Sequence, residues 1–205
     1  MGEFNLMPFQ DIPFNGDFLV EAEFLKLRDK FGIKNAVETG SCLFTTTKWF
    51  SENFDLVYTF EVNSEYFNHG IQKVCDKTNI NAYNCDSVEG LKMISGQITE
   101  NTIFFLDAHW GDNCPLLGEI EEISNFRIEP IIVIHDFKTD NPNLGFDVYN
   151  NMQFDLNLVN ESLMKVYPNG YDYYYNTEAS GAMRGLIYIL PPGTRRYINR
   201  RVAGI

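Results

Sequence analysis

Hydrophobic positions along this chain follow two periods. Short, nearly continuous apolar runs lie at Ala36-Val37-Glu38, Leu56 to Glu61, Thr102 to Leu106 and Ile131 to Ile134, with a weaker one at Ile80 to Tyr83. Between them apolar residues recur every three or four positions, as in Phe18, Ala22 and Leu25, or Leu116, Ile120 and Ile123. The first pattern predicts strands buried on both faces, and the second predicts helices packed by one side on a sheet. Their alternation is the signature of βαβ units around a parallel sheet.

Local signals set the boundaries. Asp17 is an N-cap for a first helix running to about Lys30, and Gly32 ends it. Helices are expected from Thr45 to Phe54, from Ser64 to about Asp76, briefly after Cys85-Asp86-Ser87, from Pro115 onward, and from Leu156 to Val166. Tyr171 to Tyr175 and Leu186 to Leu190 read as a closing antiparallel pair. The tyrosines fit strand packing better than a substrate platform. The stretch 137–157 is rich in Asn, Asp, Pro and Gly and too long for an ordinary connection, which suggests a substrate loop or lid. No repeat or domain boundary is visible, so one domain over 1–205 is expected.

Composition narrows the partners. The 44% apolar and 15% aromatic content fits a globular protein. No run of about 18 apolar residues predicts a membrane span. A net charge of −12 argues against a broad nucleic-acid or anionic-membrane surface, because phosphates are bound by Lys and Arg. The exception is Arg195, Arg196, Arg200 and Arg201, read as a solvated tail or a subunit contact in a homo-oligomer, with docking of an anionic ligand as the other reading. Four scattered cysteines without CxxC spacing, and no secretion signal, suggest free thiols in the cytoplasm. Met1-Gly2-Glu3-Phe4 looks like a cloning remnant, with residues 1–6 preceding a candidate natural start at Met7.

The acidic residues carry the functional signal. Glu38, Glu61, Asp86, Asp107 and Asp136 each stand at the end of an expected strand. Strand carboxyl ends form the ligand crevice of an open α/β sheet. A lone carboxylate there is more often structural, but five in succession are hard to dismiss. The loop after the first strand, Gly40-Ser41-Cys42-Leu43-Phe44, has one glycine and so lacks the GxGxxG cradle for a dinucleotide pyrophosphate. A ligand without phosphates suits it better.

Val37-Glu38-Thr39-Gly40-Ser41 resembles the first motif of class I S-adenosylmethionine-dependent methyltransferases. Val57-Tyr58-Thr59-Phe60-Glu61 resembles their second strand, and Cys85-Asp86-Ser87 their adenine-contacting position. The resemblance covers about 35–190 and implies a Rossmann-like methyltransferase fold, a seven-stranded mixed sheet of order 3-2-1-4-5-7-6 with helices on both faces. It implies that Glu38 holds the cofactor ammonium, that Gly40 and Ser41 approach the methionine part, that Glu61 grips the ribose, and that Asp86 and Ser87 meet adenine. Many relatives carry a second glycine near Phe44; with the aromatic ring there, either the loop takes another course or cofactor affinity falls.

Phe105-Leu106-Asp107-Ala108-His109-Trp110 is similar to the fourth-strand motif of metal-dependent small-molecule and sugar O-methyltransferases. The resemblance implies that Asp107 and Asp136 hold magnesium beside the acceptor, although Phe137 stands where a second oxygen ligand is common; Asp112 is a further candidate. His109 and His135 are either satisfied structural histidines or general bases. His109 is preferred as the base, with Asp107 beside it. The leading expectation is therefore methyl transfer from S-adenosylmethionine to an oxygen of a small molecule or sugar. The alternatives are a non-catalytic binding protein on the same fold and a metal-dependent hydrolase or hydroxylase using Asp107, His109 and Asp136.

Overall fold

The computed structural model describes residues 11–109 and 113–194. The arginine tail, the first ten residues and Asp112 lie outside them. Seven strands form one sheet: β1 (Asn35–Thr39), β2 (Leu56–Phe60), β3 (Ile80–Tyr83), β4 (Thr102–Leu106), β5 (Ile131–Ile134), β8 (Asp172–Tyr175) and β9 (Ile187–Leu190). Their spatial order is β3-β2-β1-β4-β5-β9-β8. The first five are parallel, and β9 runs antiparallel between β5 and β8. This is the expected order 3-2-1-4-5-7-6. The numbers differ because 137–157 contains two further short strands, β6 (Val148–Tyr149) and β7 (Met152–Gln153), paired as a separate hairpin.

The helices are α1 (Phe18–Phe31), α2 (Thr45–Asn53), α3 (Ser64–Gly70), α4 (Ser87–Ile94), α5 (Leu116–Ile123) and α6 (Leu156–Val166). α1 starts where the Asp17 carboxylate accepts from the Leu19 and Val20 amides, and it stops at Gly32, whose φ of 60° few other residues adopt freely. Two apolar clusters cover the two faces of the sheet. One joins α1 and α2 to β1, β4 and β9 through Phe24, Leu27, Phe50, Phe105 and Tyr188. Phe14 completes it with edge-to-face contacts to Trp49, Phe50 and Phe105, centroids 5.0–5.4 Å apart. The other joins α4, α5 and α6 to the opposite face through Leu91, Ile94, Ile120, Val159 and Leu163. With both faces buried, the ligand-accessible edge is the row of strand carboxyl ends.

α3 is shorter than expected: the helix gives way at Ile71 to a 3-10 turn ending at Val74. Among the described residues no helix is long and apolar enough to cross a membrane.

Candidate active site

A cavity of about 880 Å³ opens along the strand ends, lined by Glu38, Gly40, Ser41, Glu61, Cys85, Ser87, Asp107, His109, His135 and Asp136, among others. Among the described residues, the structure thus brings together every singled-out site residue except Asp86, which is not on the cavity wall; Asp112 lies outside them. The Asp86 carboxylate instead caps α4, accepting from the Val88 amide at 2.9 Å. Its neighbour Ser87 does line the cavity, with its buried hydroxyl turned to the carboxyl of the buried Glu119.

Register explains Glu38. It pairs with Thr59 across β1 and β2, on the same face of the pleat, and Thr59 donates to its carboxylate at 2.7 Å while Thr47 of α2 donates at 2.5 Å. Burial, only partly offset by those hydroxyls, raises its pKa to about 7. Glu61 is held by backbone: the Cys42 amide donates to one carboxylate oxygen and the Asn63 amide to the other, each at 2.7 Å. Burial raises its pKa as well. Ser41 directs its hydroxyl to Thr59 at 2.5 Å and to the Phe60 carbonyl at 3.2 Å. Gly40, at φ 77°, lies so close to the loop after β4 that a Cβ would stand 2.6 Å from the Asp107 carbonyl oxygen. Its missing side chain therefore answers a crowded backbone as well as any ligand. Phe44 does not line the cavity. At φ 62° it turns its ring beneath Gly70 and edge-on to Phe67, and is fully buried there.

Beyond β4 and β5 the carboxylates have charged company. His109 Nε2 lies 2.7 Å from Asp136 Oδ2, 3.3 Å from Asp147 and 3.9 Å from Asp107. His135 Nδ1 lies 3.1 Å from Asp107 Oδ1 and 3.2 Å from Asp136 Oδ2. Arg184 donates to Asp136 through Nε and to Asp147 through a terminal nitrogen. Asp136 adopts φ 57°, which breaks β5 sharply and swings its carboxylate inward. Burial opposes charge on both imidazoles, but the hydrogen bonds and charges of the aspartates win: His109 rises to about 10 and His135 well above its ordinary value. Asp136 is correspondingly held far below the usual carboxylate range despite its burial.

Asp147 and Arg184 were not singled out in the sequence. Asp147 precedes the β6-β7 hairpin, whose Asn150 and Asn151 both have positive φ, 48° and 65°. Asn-Asn between Val-Tyr and Met-Gln is a hairpin signal of the primed type that could have been read. The hairpin packs on the site: Tyr149 and Phe154 stand edge-on to the His109 ring, 5.5 and 5.3 Å away. Gly145 is tied to the segment before β9 by backbone hydrogen bonds to Met183 and from Gly185. Phe137 points into the core, stacked 6.3 Å from Tyr175, and offers nothing to the cavity. Asp107, His109 and Asp136 present donor atoms within 4.8 Å of one another, a spacing compatible with a cation.

No protein-family model matches the chain, and no curated protein matches it in sequence. Solved structures do match in shape. An O-methyltransferase from Bacillus cereus, in complex with SAH, superposes at a TM-score of 0.58 with 15% identity, covering 88% of this chain and 84% of its own. A SAM-dependent methyltransferase from Aquifex aeolicus gives 0.54 with 17% identity over 80% of this chain and 87% of its own. An rRNA methylase from Streptococcus thermophilus gives 0.54 with 14% identity over 85% and 96%. At such identities the likeness is one of fold, and that fold is the Rossmann-like class I methyltransferase fold.

Proposed function

We propose that this chain transfers a methyl group from S-adenosylmethionine to an oxygen of a small molecule or sugar. One observation carries the reading. Glu38 and Glu61 are buried carboxylates on the wall of one cavity, at the strand ends where this fold takes its ligand, and among the described residues neither has a basic partner. A ligand bearing a sulfonium and an ammonium supplies the missing positive charge.

The residues divide the work. Glu61 has one amide on each oxygen and keeps a lone pair on each for the ribose hydroxyls. Glu38 faces the ammonium, directly or through water, and the Gly40-Ser41 turn carries the methionine part. Ser87, with Asp86 at its back, meets the adenine. The acceptor oxygen attacks the methyl carbon in line with the carbon–sulfur bond, the sulfur leaves as a thioether, and the hydroxyl proton passes to His109. His109 lies among three aspartates; with Asp107 and Asp136 turned to a cation, its imidazole would be released to act as the base. Asp107 and Asp136 would hold a divalent ion, which would supply charge that lowers the acceptor pKa. The 137–157 segment serves as the acceptor loop, with Val148 and Met152 exposed on the hairpin and Met183 exposed near it. The acidic surface favours a small acceptor over nucleic acid.

Calorimetric titration with S-adenosylmethionine and with its demethylated product tests this. One site for each is expected. A folded protein that takes up neither sinks the reading and leaves the non-catalytic protein or the metal-dependent hydrolase in its place.

A further inference from the structure

We propose that His135 completes the cation centre as a nitrogen ligand and that the centre therefore prefers a borderline divalent ion of the manganese, iron, cobalt or zinc class to magnesium. The inference rests on the reading that Asp107 and Asp136 share a cation.

Spacing is the first argument. His135 Nδ1 stands 3.1 Å from Asp107 Oδ1 and 3.2 Å from Asp136 Oδ2. Neighbouring ligands about 2.1 Å from an octahedral ion lie about 3.0 Å apart, so these spacings suit adjacent ligands of one ion. The side chain is 3% exposed, fixed at the floor of the cavity between the ends of β4 and β5. Asp136 is turned to the same point by its left-handed backbone, and Arg184 holds its other oxygen from outside. An outer partner of that kind fixes which oxygen faces inward.

The second argument is the shortage of a third oxygen among the described residues. Phe137 is buried in the core. Glu38 is held by Thr47 and Thr59, and Asp147 is engaged by Arg184 and His109. The His135 imidazole reaches both carboxylates within 3.2 Å, whereas His109 stands 3.9 Å from Asp107. Magnesium takes oxygen ligands and gives up water reluctantly, whereas imidazole suits the later divalent ions. His109 stays on the hairpin side, against Tyr149 and Phe154 and paired with Asp136 and Asp147.

The test is metal binding by the full chain, stripped with chelator and kept free of S-adenosylmethionine. Calorimetry with manganese and with magnesium should give manganese the tighter site by about tenfold or more. Pulsed electron paramagnetic resonance of the manganese form should show coupling to a directly bound imidazole nitrogen. That coupling should persist in His109→Ala and vanish in His135→Asp, which should also shift preference toward magnesium. Should His135→Asp fail to fold, the wild-type and His109→Ala spectra still decide. Equal affinities, or manganese bound without nitrogen coupling, overturn the role of His135 while leaving a cation at Asp107 and Asp136. Binding of neither ion overturns the cation itself along with this inference.

Discussion

At the ends of β1 and β2, Glu38 and Glu61 accept hydrogen bonds from hydroxyls and backbone amides alone. At the ends of β4 and β5, in the same cavity, Asp107 and Asp136 meet two imidazoles and a guanidinium. Both pairs are carboxylates at homologous places in one sheet, yet their environments drive them apart: burial raises Glu38 and Glu61, while charge partners hold Asp136 low. Neutral donors orient a carboxylate without cancelling its field, so the first half still attracts a cation from solution. The second half is already compensated by the chain, and a ligand there exchanges with protons or displaces ion pairs. One crevice thus sets uncompensated carboxylates beside compensated ones.

The largest expected effect tests the compensated half. Asp136→Asn tolerates the same backbone angle but leaves Arg184, His109 and His135 facing an amide. Breaking such a buried set should lower the unfolding free energy by about 3–5 kcal/mol, read by urea denaturation. A loss no greater than that of Glu38→Gln would erase the contrast between the halves.

Glu38 gives the opposite sign. Its folded pKa of about 7 lies above the ordinary 4.5, so its contribution to stability is present below about pH 4.5 and is lost as pH rises through 7. Glu38→Gln should therefore flatten the decline, and above pH 8 the variant should be the more stable protein by about 3 kcal/mol. Identical stability–pH curves for the two proteins would show that Glu38 does not carry this strain.

Glu61→Ala should leave the fold intact and weaken binding of the demethylated cofactor by about 1.5–3 kcal/mol, the range for hydrogen bonds to a charged group. Unchanged affinity in calorimetry would remove Glu61 from the receptor half. The smallest effect belongs to Asp86→Ala, which should cost about 1 kcal/mol of stability through the lost cap on α4. If it weakens cofactor binding more than Glu61→Ala does, adenine recognition rests on Asp86 after all.

Much of this was legible beforehand because long apolar runs and caps are local signals. β3, β4, β5 and α6 begin and end where the residue pattern puts them, and Asp17 and Gly32 bound α1 as their chemistry requires. The strand-end carboxylates were legible for the same reason. Their environments were not. Thr47 and Thr59 reach Glu38 through the packing of α2 and the register of β2, and Arg184 reaches Asp136 from a segment far along the chain. Asp86 carried a cue that was passed over: Asp-x-x-Glu ahead of an apolar run is a helix-start pattern, and the side chain follows it. The hairpin's two-residue strands have no periodicity to detect, which leaves its Asn150-Asn151 turn as the cue.

The placement of β9 sets a timetable for synthesis. β1 finds both its neighbours once β4 has been made, so the receptor half has its strands early. β5 keeps one edge open until Ile187–Leu190 arrive to lie between it and β8. At roughly 5–20 residues per second on the ribosome, that edge of Ile131-Ile132-Val133-Ile134 waits for seconds, an unpaired apolar strand of the kind that recruits other chains. The guanidinium that locks Asp136 arrives just ahead of the strand that closes the edge. The half with the charge partners is thus the last to be born, and slowing translation after β5 should put this protein into aggregates before any mature contact has been weakened.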